Sequence, residues 1–311
     1  MNPAPSIVFF TTASGAGYGL LFWMGALRAL GWGAGAPPFF GAVAVALALA
    51  LITAGLLSSL AHLGNPQRAW RALSQWRSSW LSREGVAAVL TYPPALLFLL
   101  ALWSGWPVVA ALAGLLAAAG AVATVYCTAM IYASLKTVRQ WRHPLVVPGY
   151  FAMAAFSGAA LLAALAAVWG LRGAVLAPAA LAVVGGLAAI GLKFAYWRAL
   201  DAGLPGPTAE SATSLGAIGR VRPLDPPHTQ QNYLLREMGF RVARKHAARL
   251  RAVALAAGFA APAVLALLAL AGAPAAAPLL ALGALLALLG VLVERWLMFA
   301  EATHTVMLYY R

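Results

Sequence analysis

Eight runs of apolar residues, each long enough to cross a bilayer, dominate this sequence. They cover approximately residues 7–30, 39–61, 85–102, 108–135, 147–171, 175–200, 253–270 and 278–293. A helix needs roughly 20 apolar residues to cross about 30 Å of hydrocarbon. Backbone groups in lipid need internal partners, and the chain lacks the ten-residue alternating segments of a barrel. The sequence therefore predicts an all-α polytopic membrane protein, a bundle of about eight transmembrane helices forming one integral membrane domain over residues 1–311.

The composition agrees with a membrane protein and excludes a soluble domain. Hydrophobic residues make up 63% of the chain and charged residues 9%, against roughly 45–50% and about 25% in soluble domains. No Lys or Arg precedes the first run, and no small-residue cleavage site follows it, so we expect that helix to be retained rather than removed as a signal peptide. The single cysteine, Cys127, lies inside the fourth run, so it cannot form an internal disulfide or hold an iron–sulfur cluster alone.

The positive charges alternate from one connection to the next. Connections after the second, fourth and sixth runs are basic, with Arg68, Arg71, Arg77, Arg83, Lys136, Arg139, Arg142, Arg198, Arg220, Arg222, Arg236, Arg241, Arg244 and Lys245. The intervening turns hold only Arg28 and Arg172. The positive-inside rule therefore predicts a bacterial inner membrane protein with both termini in the cytoplasm. The net charge of +14 then reflects topology and attraction to membrane lipid, and gives no reason to expect nucleic acid binding.

Two basic connections have features of their own. Residues 63–83 form a basic interfacial segment in which Trp76 and Trp80 share a helical face, as expected at the headgroup boundary. Residues 201–251 form a long basic loop containing a stretch, 233–246, with helical spacing and a favourable Glu237–Arg241 pair. That stretch is either a helix lying on headgroups or a docking site for a soluble partner.

The sequence lacks the motifs of an autonomous enzyme. Glycine patterns that cradle phosphate, metal-ligand clusters, and a nucleophile beside a base are all missing. We also expect no bis-histidine haem, because four of the five histidines lie in loops or near the C-terminus and only His62 lies at a helix end. We therefore expect a chain that is not catalytic by itself and carries no haem or iron–sulfur cluster.

His62 and Glu84 stand at the two ends of the first basic segment. An imidazole and a carboxylate at one membrane face can take up the two protons released when a quinol is oxidised. Arg68 or Arg83 could keep Glu84 ionised. A simpler interpretation also exists for each group: His62 could end the second helix, and Glu84 could complement the dipole of a helix capped by Ser82.

Four further charges lie near the ends of apolar runs. We expect Lys193 to extend its side chain to the interface. We expect Glu294, Arg295 and Glu301 to form an ion pair plus a solvated group.

Several motifs resemble one known family. The run from His62 to Ala69, His-Leu-Gly-Asn-Pro-Gln-Arg-Ala, is followed by Leu-Ser-Arg-Glu at 81–84. Together with the eight-helix plan, these residues resemble the dimethyl sulfoxide reductase membrane anchor subunit family (DmsC). Looser matches are Val125-Tyr126, Thr137-Val138, Trp141, Glu294-Arg295 and Phe299.

The resemblance implies a membrane anchor without a redox centre of its own. Its partners would be a four-cluster iron–sulfur subunit and a molybdopterin catalytic subunit, and its substrate would be menaquinone or ubiquinone. His62 and Glu84 match the quinol-site residues of that family. The direction of electron flow is open, because a reductase partner would oxidise quinol, whereas a dehydrogenase, for example one acting on a CoA thioester, would reduce quinone. A stand-alone transporter and a purely structural anchor are the alternatives.

Overall fold

The computed structural model describes residues 2–61, 64–225, 228, 230, 232, 238 and 242–310. Within these residues it is helical and contains no strand, only one isolated bridge between Val138 and His304. The α-helices are α1 Pro5–Ala29, α2 Pro38–Leu60, α3 Trp80–Trp103, α4 Pro107–Ala133, α5 Val146–Val168, α6 Arg172–Asp201, α7 Ala209–Thr213, α8 Val242–Val253, α9 Ala261–Leu270 and α10 Ala276–Ala300. A π-helical segment, Ala254–Ala260, joins α8 to α9, and 3₁₀ helices cover Pro66–Gln75 and Thr305–Tyr310.

The predicted fold class is confirmed. In the described part of the chain, eight helices are long and apolar enough to cross a membrane, the seventh being the continuous stretch His246–Leu270. The predicted spans match them except at three ends. The third helix begins at Trp80 because Ser79 caps it, with its side chain accepting from the Ser82 amide at 3.4 Å. The seventh span begins about seven residues before its predicted apolar run, and the eighth ends about seven residues after its run. As a result, Glu84 lies within the third span, and Glu294 and Arg295 lie within the eighth.

α1 lies at the centre of the bundle and packs on α2, α4, α5 and α10. Close approach between helices depends on small residues, as is common in membranes. A side chain at Gly19 would overlap the carbonyl of Ala154 on α5. Gly258 in the π-helical segment and Gly290 on α10 likewise approach each other too closely for either to carry a Cβ. The central position of α1 brings its threonines, serines and Tyr18 into the protein interior.

The two sides of the bundle differ in charge. Eight spans place the start of α1 and the end of α10 on the same side, together with the connections 61–79, 134–145 and 202–241. We call this the basic side, because the opposite connections are flanked only by Arg28 and Arg172. The predicted alternation of charge therefore matches the helix boundaries.

The two basic segments are described to different extents. Residues 66–75 form an exposed 3₁₀ helix in place of the predicted amphipathic helix, and its Trp70 is exposed. In the 201–251 loop, only α7 and the start of α8 are regular within the described residues. The Glu237–Arg241 pair and most of the predicted 233–246 helix lie outside the described residues.

Candidate functional site

A cavity of about 570 Å³ lies at the basic-side end of the bundle between α1, α2, α3, the end of α4 and the first 3₁₀ helix. This volume is within the range of roughly 300–1,000 Å³ that is typical of small-molecule sites. Its walls are mostly apolar, and they include Ile7, Phe10, Leu56, Leu60, Trp70, Leu73, Ala88, Tyr92, Ile131 and Tyr132. Among its described lining residues, Glu84 is the only one with a carboxylate.

Glu84 is buried in the wall of this cavity. Glu84 is only 4% exposed. Its Oε1 accepts a hydrogen bond from the Thr128 hydroxyl on α4. The helix-dipole interpretation is wrong, because Ser79 rather than Ser82 is the cap and the first turn of α3 contains no acidic residue. Ser82 instead donates to the carbonyl of Ala72 and so ties the 3₁₀ helix to α3. Glu84 is therefore a buried carboxylate without a helix-end role, which makes it a candidate for the functional site.

The 3₁₀ helix covers the cavity on its aqueous side. Leu73 lies against Gly85, where an added Cβ would be 2.8 Å from the leucine Cδ2. Arg83 organises the turn that follows: its Nε donates to the Trp76 carbonyl at 2.9 Å and its Nη2 to the Arg77 carbonyl at 2.7 Å. The Arg83 guanidinium also lies 4.2 Å from the centre of the Trp80 ring.

The other two predicted site residues are placed less completely. Arg68 is exposed on the 3₁₀ helix. His62 lies outside the described residues, although Leu60, two positions earlier, lines the cavity. The roles suggested for His62, Arg68 and Arg83 therefore stay predictions.

The cavity opens towards lipid. Leu57 on α2 and Val89 on α3 line it, yet both are largely exposed on the membrane-spanning surface of the bundle. Deeper in the membrane, the Thr53 and Tyr92 side-chain oxygens, 2.7 Å apart, join α2 to α3. A ligand could thus enter sideways between α2 and α3, directly from the bilayer.

A second group of charged residues is buried, and its burial was not predicted from the sequence. Lys193 is 6% exposed and pairs with Glu294, so the expectation that it reaches the interface is wrong. Glu294 Oε2 also lies 2.6 Å from Arg295 Nε, which confirms the predicted ion pair. Both residues of that pair are buried. We call Lys193, Glu294 and Arg295 the inner cluster. Its only sequence signal was the presence of charges within or beside apolar runs.

Glu301 is also less solvated than expected. Its Oε1 lies 2.7 Å from Arg251 Nη2, and Arg251 Nη1 lies 2.8 Å from Asp201 Oδ2. Burial raises the pKa of Glu301 above its ordinary value, although the hydrogen bond from Arg251 opposes that change. These three residues form the rim cluster, at the aqueous end of α6 and α10. Over the described residues, no three His, Cys, Asp or Glu side chains meet as a metal site.

A bundle of eight apolar helices with a lipid-facing cavity on one side defines a polytopic integral membrane protein. The chain belongs to the DMSO reductase anchor subunit (DmsC) family, which matches residues 1–310. It is 34% identical to a sulfite dehydrogenase subunit from Allochromatium vinosum, over an alignment of 327 residues that covers 100% of this chain and 99% of the relative. The resemblance seen in the sequence is confirmed, and family membership makes the chain an anchor that partners catalytic oxidoreductase subunits.

Proposed function

We propose that this chain is a quinone-reactive anchor, which binds a quinone in the Glu84 cavity and exchanges electrons between it and an iron–sulfur partner subunit. One observation carries the proposal: a buried carboxylate lies in the wall of an apolar cavity that opens to lipid. An apolar wall suits the quinone ring and its isoprenoid chain, which arrive from the bilayer. A positioned carboxylate can give or take the proton that accompanies electron transfer.

Reduction of one quinone consumes two electrons and two protons. Glu84 exchanges one proton with a quinone oxygen. We assign the other to His62, because imidazole titrates near neutral pH and His62 follows the cavity residue Leu60 by two positions. Arg68 and Arg83, on the same segment, are proposed to help orient the site and the partner. The quinone is menaquinone or ubiquinone, since both have the required ring and chain.

The partners proposed are a four-cluster iron–sulfur subunit and a molybdopterin catalytic subunit. The full-length relative is named as a subunit of a sulfite dehydrogenase, and a dehydrogenase withdraws electrons from its substrate. We therefore propose that this chain receives electrons from a catalytic partner that oxidises sulfite, and passes them to quinone. Electron flow in the opposite direction, from quinol to an oxidised substrate, is the second candidate and is favoured by the family's description as a reductase anchor.

The basic side is proposed to face the cytoplasm of a bacterial inner membrane. The charge difference between the two sides supports this orientation. A reporter enzyme fused to the C-terminus should be active only in the cytoplasm. Activity of a periplasmic reporter at that position would contradict the orientation without affecting the quinone site.

The direct test is quinone turnover by the purified complex carrying Glu84→Gln. We expect the rate to fall by at least about tenfold, because removal of a general acid–base group typically costs 10²–10⁴-fold. Asp225→Asn is the matched control, since Asp225 is an exposed carboxylate in the 201–251 loop. Both quinone reduction with sulfite and quinol oxidation should be measured. The two rates show the direction of electron flow, and their response to Glu84→Gln shows whether the cavity is the quinone site.

The alternatives make different predictions for the same material. A purely structural anchor would support unchanged turnover in the Glu84→Gln complex. A stand-alone transporter would purify without iron–sulfur or molybdenum subunits.

A further inference from the structure

A second, much smaller cavity lies behind Glu84, within the bundle. It lies between α1, α4, α5 and α10. The volume that the centre of a water molecule can occupy there is about 10 Å³. This is close to the minimum of roughly 10–15 Å³ that holds one water. Its lining is polar for a membrane interior, with Thr128, Tyr18, Tyr150 and Arg295 among its residues.

Two buried hydroxyls at this cavity have incomplete hydrogen bonding within the described residues. Tyr18 and Tyr150 are buried, and within the described residues neither hydroxyl makes a hydrogen bond of full geometry. The polar neighbours are Thr124 for the Tyr18 hydroxyl and Arg295 for the Tyr150 hydroxyl. Buried polar groups are almost always satisfied by protein or by ordered water. A buried water typically makes about three hydrogen bonds, and the two tyrosines together with Thr128 could supply that number. The cavity therefore has the size and the lining of a water site.

Thr128 connects this cavity to the quinone site. Its hydroxyl donates to Glu84 on one side, and the same residue lines the small cavity on the other. Glu84 and Thr128 thus lie between the large cavity and the small one, which is surrounded by α1, α4, α5 and α10.

Charged residues lead from the small cavity to the aqueous phase. Arg295, which lines the cavity with its guanidinium 4.0 Å from the centre of the Tyr150 ring, pairs with Glu294, which pairs with Lys193. The rim cluster of Asp201, Arg251 and Glu301 follows at the basic side. Glu301 caps the end of α10 with near-helical backbone angles and lies seven residues after Glu294. The two carboxylates are therefore on the same side of the helix axis and differ in depth by about 10 Å at 1.5 Å per residue.

We propose that these groups form an internal proton route between the aqueous phase on the basic side and Glu84. The carriers are the rim carboxylates, the Lys193–Glu294 pair, the cavity water with the Tyr18 and Tyr150 hydroxyls, and Thr128. Arg295 is a positioning residue, because a guanidinium stays protonated and its charge holds the Glu294 carboxylate in place. The inference deepens the proposed function and rests on it, since the route ends at the quinone-site carboxylate.

The transfer balances at every atom. When Glu84 gives its proton to a quinone oxygen, an O–H bond forms there as the Glu84 O–H bond breaks, while the electrons come from the iron–sulfur partner. Thr128 then gives its hydroxyl proton to Glu84 and takes one from the cavity water. The water regains its proton from the basic side through the Lys193–Glu294 pair. Quinol oxidation would run the same steps in reverse.

The test compares Thr128→Val and Tyr18→Phe with Tyr126→Phe in the purified complex. The first two remove one hydroxyl each without changing side-chain shape, and the control removes the hydroxyl of a tyrosine that packs against Trp80 near the lipid-facing surface of α4. Measurements are kcat, the quinone KM and the solvent deuterium isotope effect on kcat. We expect kcat to fall roughly tenfold, as for a weakened proton transfer, with a larger isotope effect, an unchanged KM and no change in the control.

A second measurement does not depend on turnover. Hydrogen–deuterium exchange of the Glu84 carboxyl, followed by its infrared C=O band and assigned with Glu84→Gln, should slow in Thr128→Val and Tyr18→Phe. Tyr150→Phe is a third variant. Because Tyr150 stacks on Tyr132, this substitution also perturbs packing, and the test depends on the first two variants if the third does not assemble.

The outcomes separate the two proposals. If Glu84→Gln lowers turnover while Thr128→Val and Tyr18→Phe change neither the isotope effect nor the exchange rate, the route is refuted and the quinone site stands. If Glu84→Gln itself leaves turnover unchanged, both proposals fail.

Discussion

The inner cluster predicts an unequal response to the loss of each of its charges. Lys193 and Arg295 are cations and Glu294 is an anion, so the cluster carries a net charge of +1. Lys193→Met would leave a neutral Glu294–Arg295 pair. Glu294→Gln would leave two buried cations facing each other without a counter-charge. The glutamate variant should therefore be far less stable than the lysine variant, although both delete one ionic group.

The magnitude follows from the burial of these groups. Glu294 and Arg295 are 0% and 1% exposed, so little solvent can relax around an unpaired charge. Removing one partner of a buried pair costs about 3–5 kcal/mol in soluble proteins. We expect Glu294→Gln to lose about that much and Lys193→Met clearly less. The double variant, with Arg295 as the remaining single charge, should recover part of the Glu294→Gln loss.

The single cysteine provides the assay. Cys127 is buried on α4, so a thiol-reactive dye should label it only as the purified chain unfolds in detergent. The labelling midpoint should fall by on the order of 10 °C for Glu294→Gln, at roughly 2–4 °C per kcal/mol. Equal midpoints for Glu294→Gln and Lys193→Met, or a double variant less stable than Glu294→Gln, would refute the charge argument.

Two further predictions concern the cavity mouth and the helix packing. Val89→Trp, at a cavity residue 58% exposed to lipid, should raise the quinone KM severalfold by narrowing the entrance, whereas Leu90→Trp, at the next residue, 66% exposed but outside the cavity, should not; equal KM values would argue against lateral entry. Gly258→Leu should prevent assembly, because any Cβ there overlaps Gly290, whereas Gly191→Leu should be tolerated because nothing lies within 4 Å of its added Cβ. Yield of folded protein by size-exclusion chromatography checks the second prediction, and a well-folded Gly258→Leu protein would contradict it.

The sequence predicts the number of spans well because each span is a property of its own composition. It misplaces the start of α3 because Arg83 and Glu84 lower the local hydropathy, although the helix is already capped at Ser79 and begins at Trp80. The predicted apolar run therefore begins only after these two charged residues, whereas the helix itself already includes them.

The sequence is less informative about the site, because contacts between helices are not encoded in any one run. Glu84 could be proposed from its chemistry and its motif, but its hydrogen bond from Thr128 joins residues on different helices. Lys193 was misjudged for the same reason: its partner Glu294 lies four helices further along the chain. A charge within an apolar run indicates an internal partner as readily as it indicates a route to the surface.

The four buried charged residues of the described chain, Glu84, Lys193, Glu294 and Arg295, all lie in the halves of their helices next to the basic side. No buried charge in the described residues stands in the opposite half of the bundle. Under the proposed function, protons for the quinone would enter from the side on which the site itself lies. Since the proposed partner also delivers its electrons from that side, such turnover performs no electrical work: neither protons nor electrons cross the membrane potential. The free energy released would leave the protein stored in the quinol, and any contribution to that potential would be made where the quinol is reoxidised.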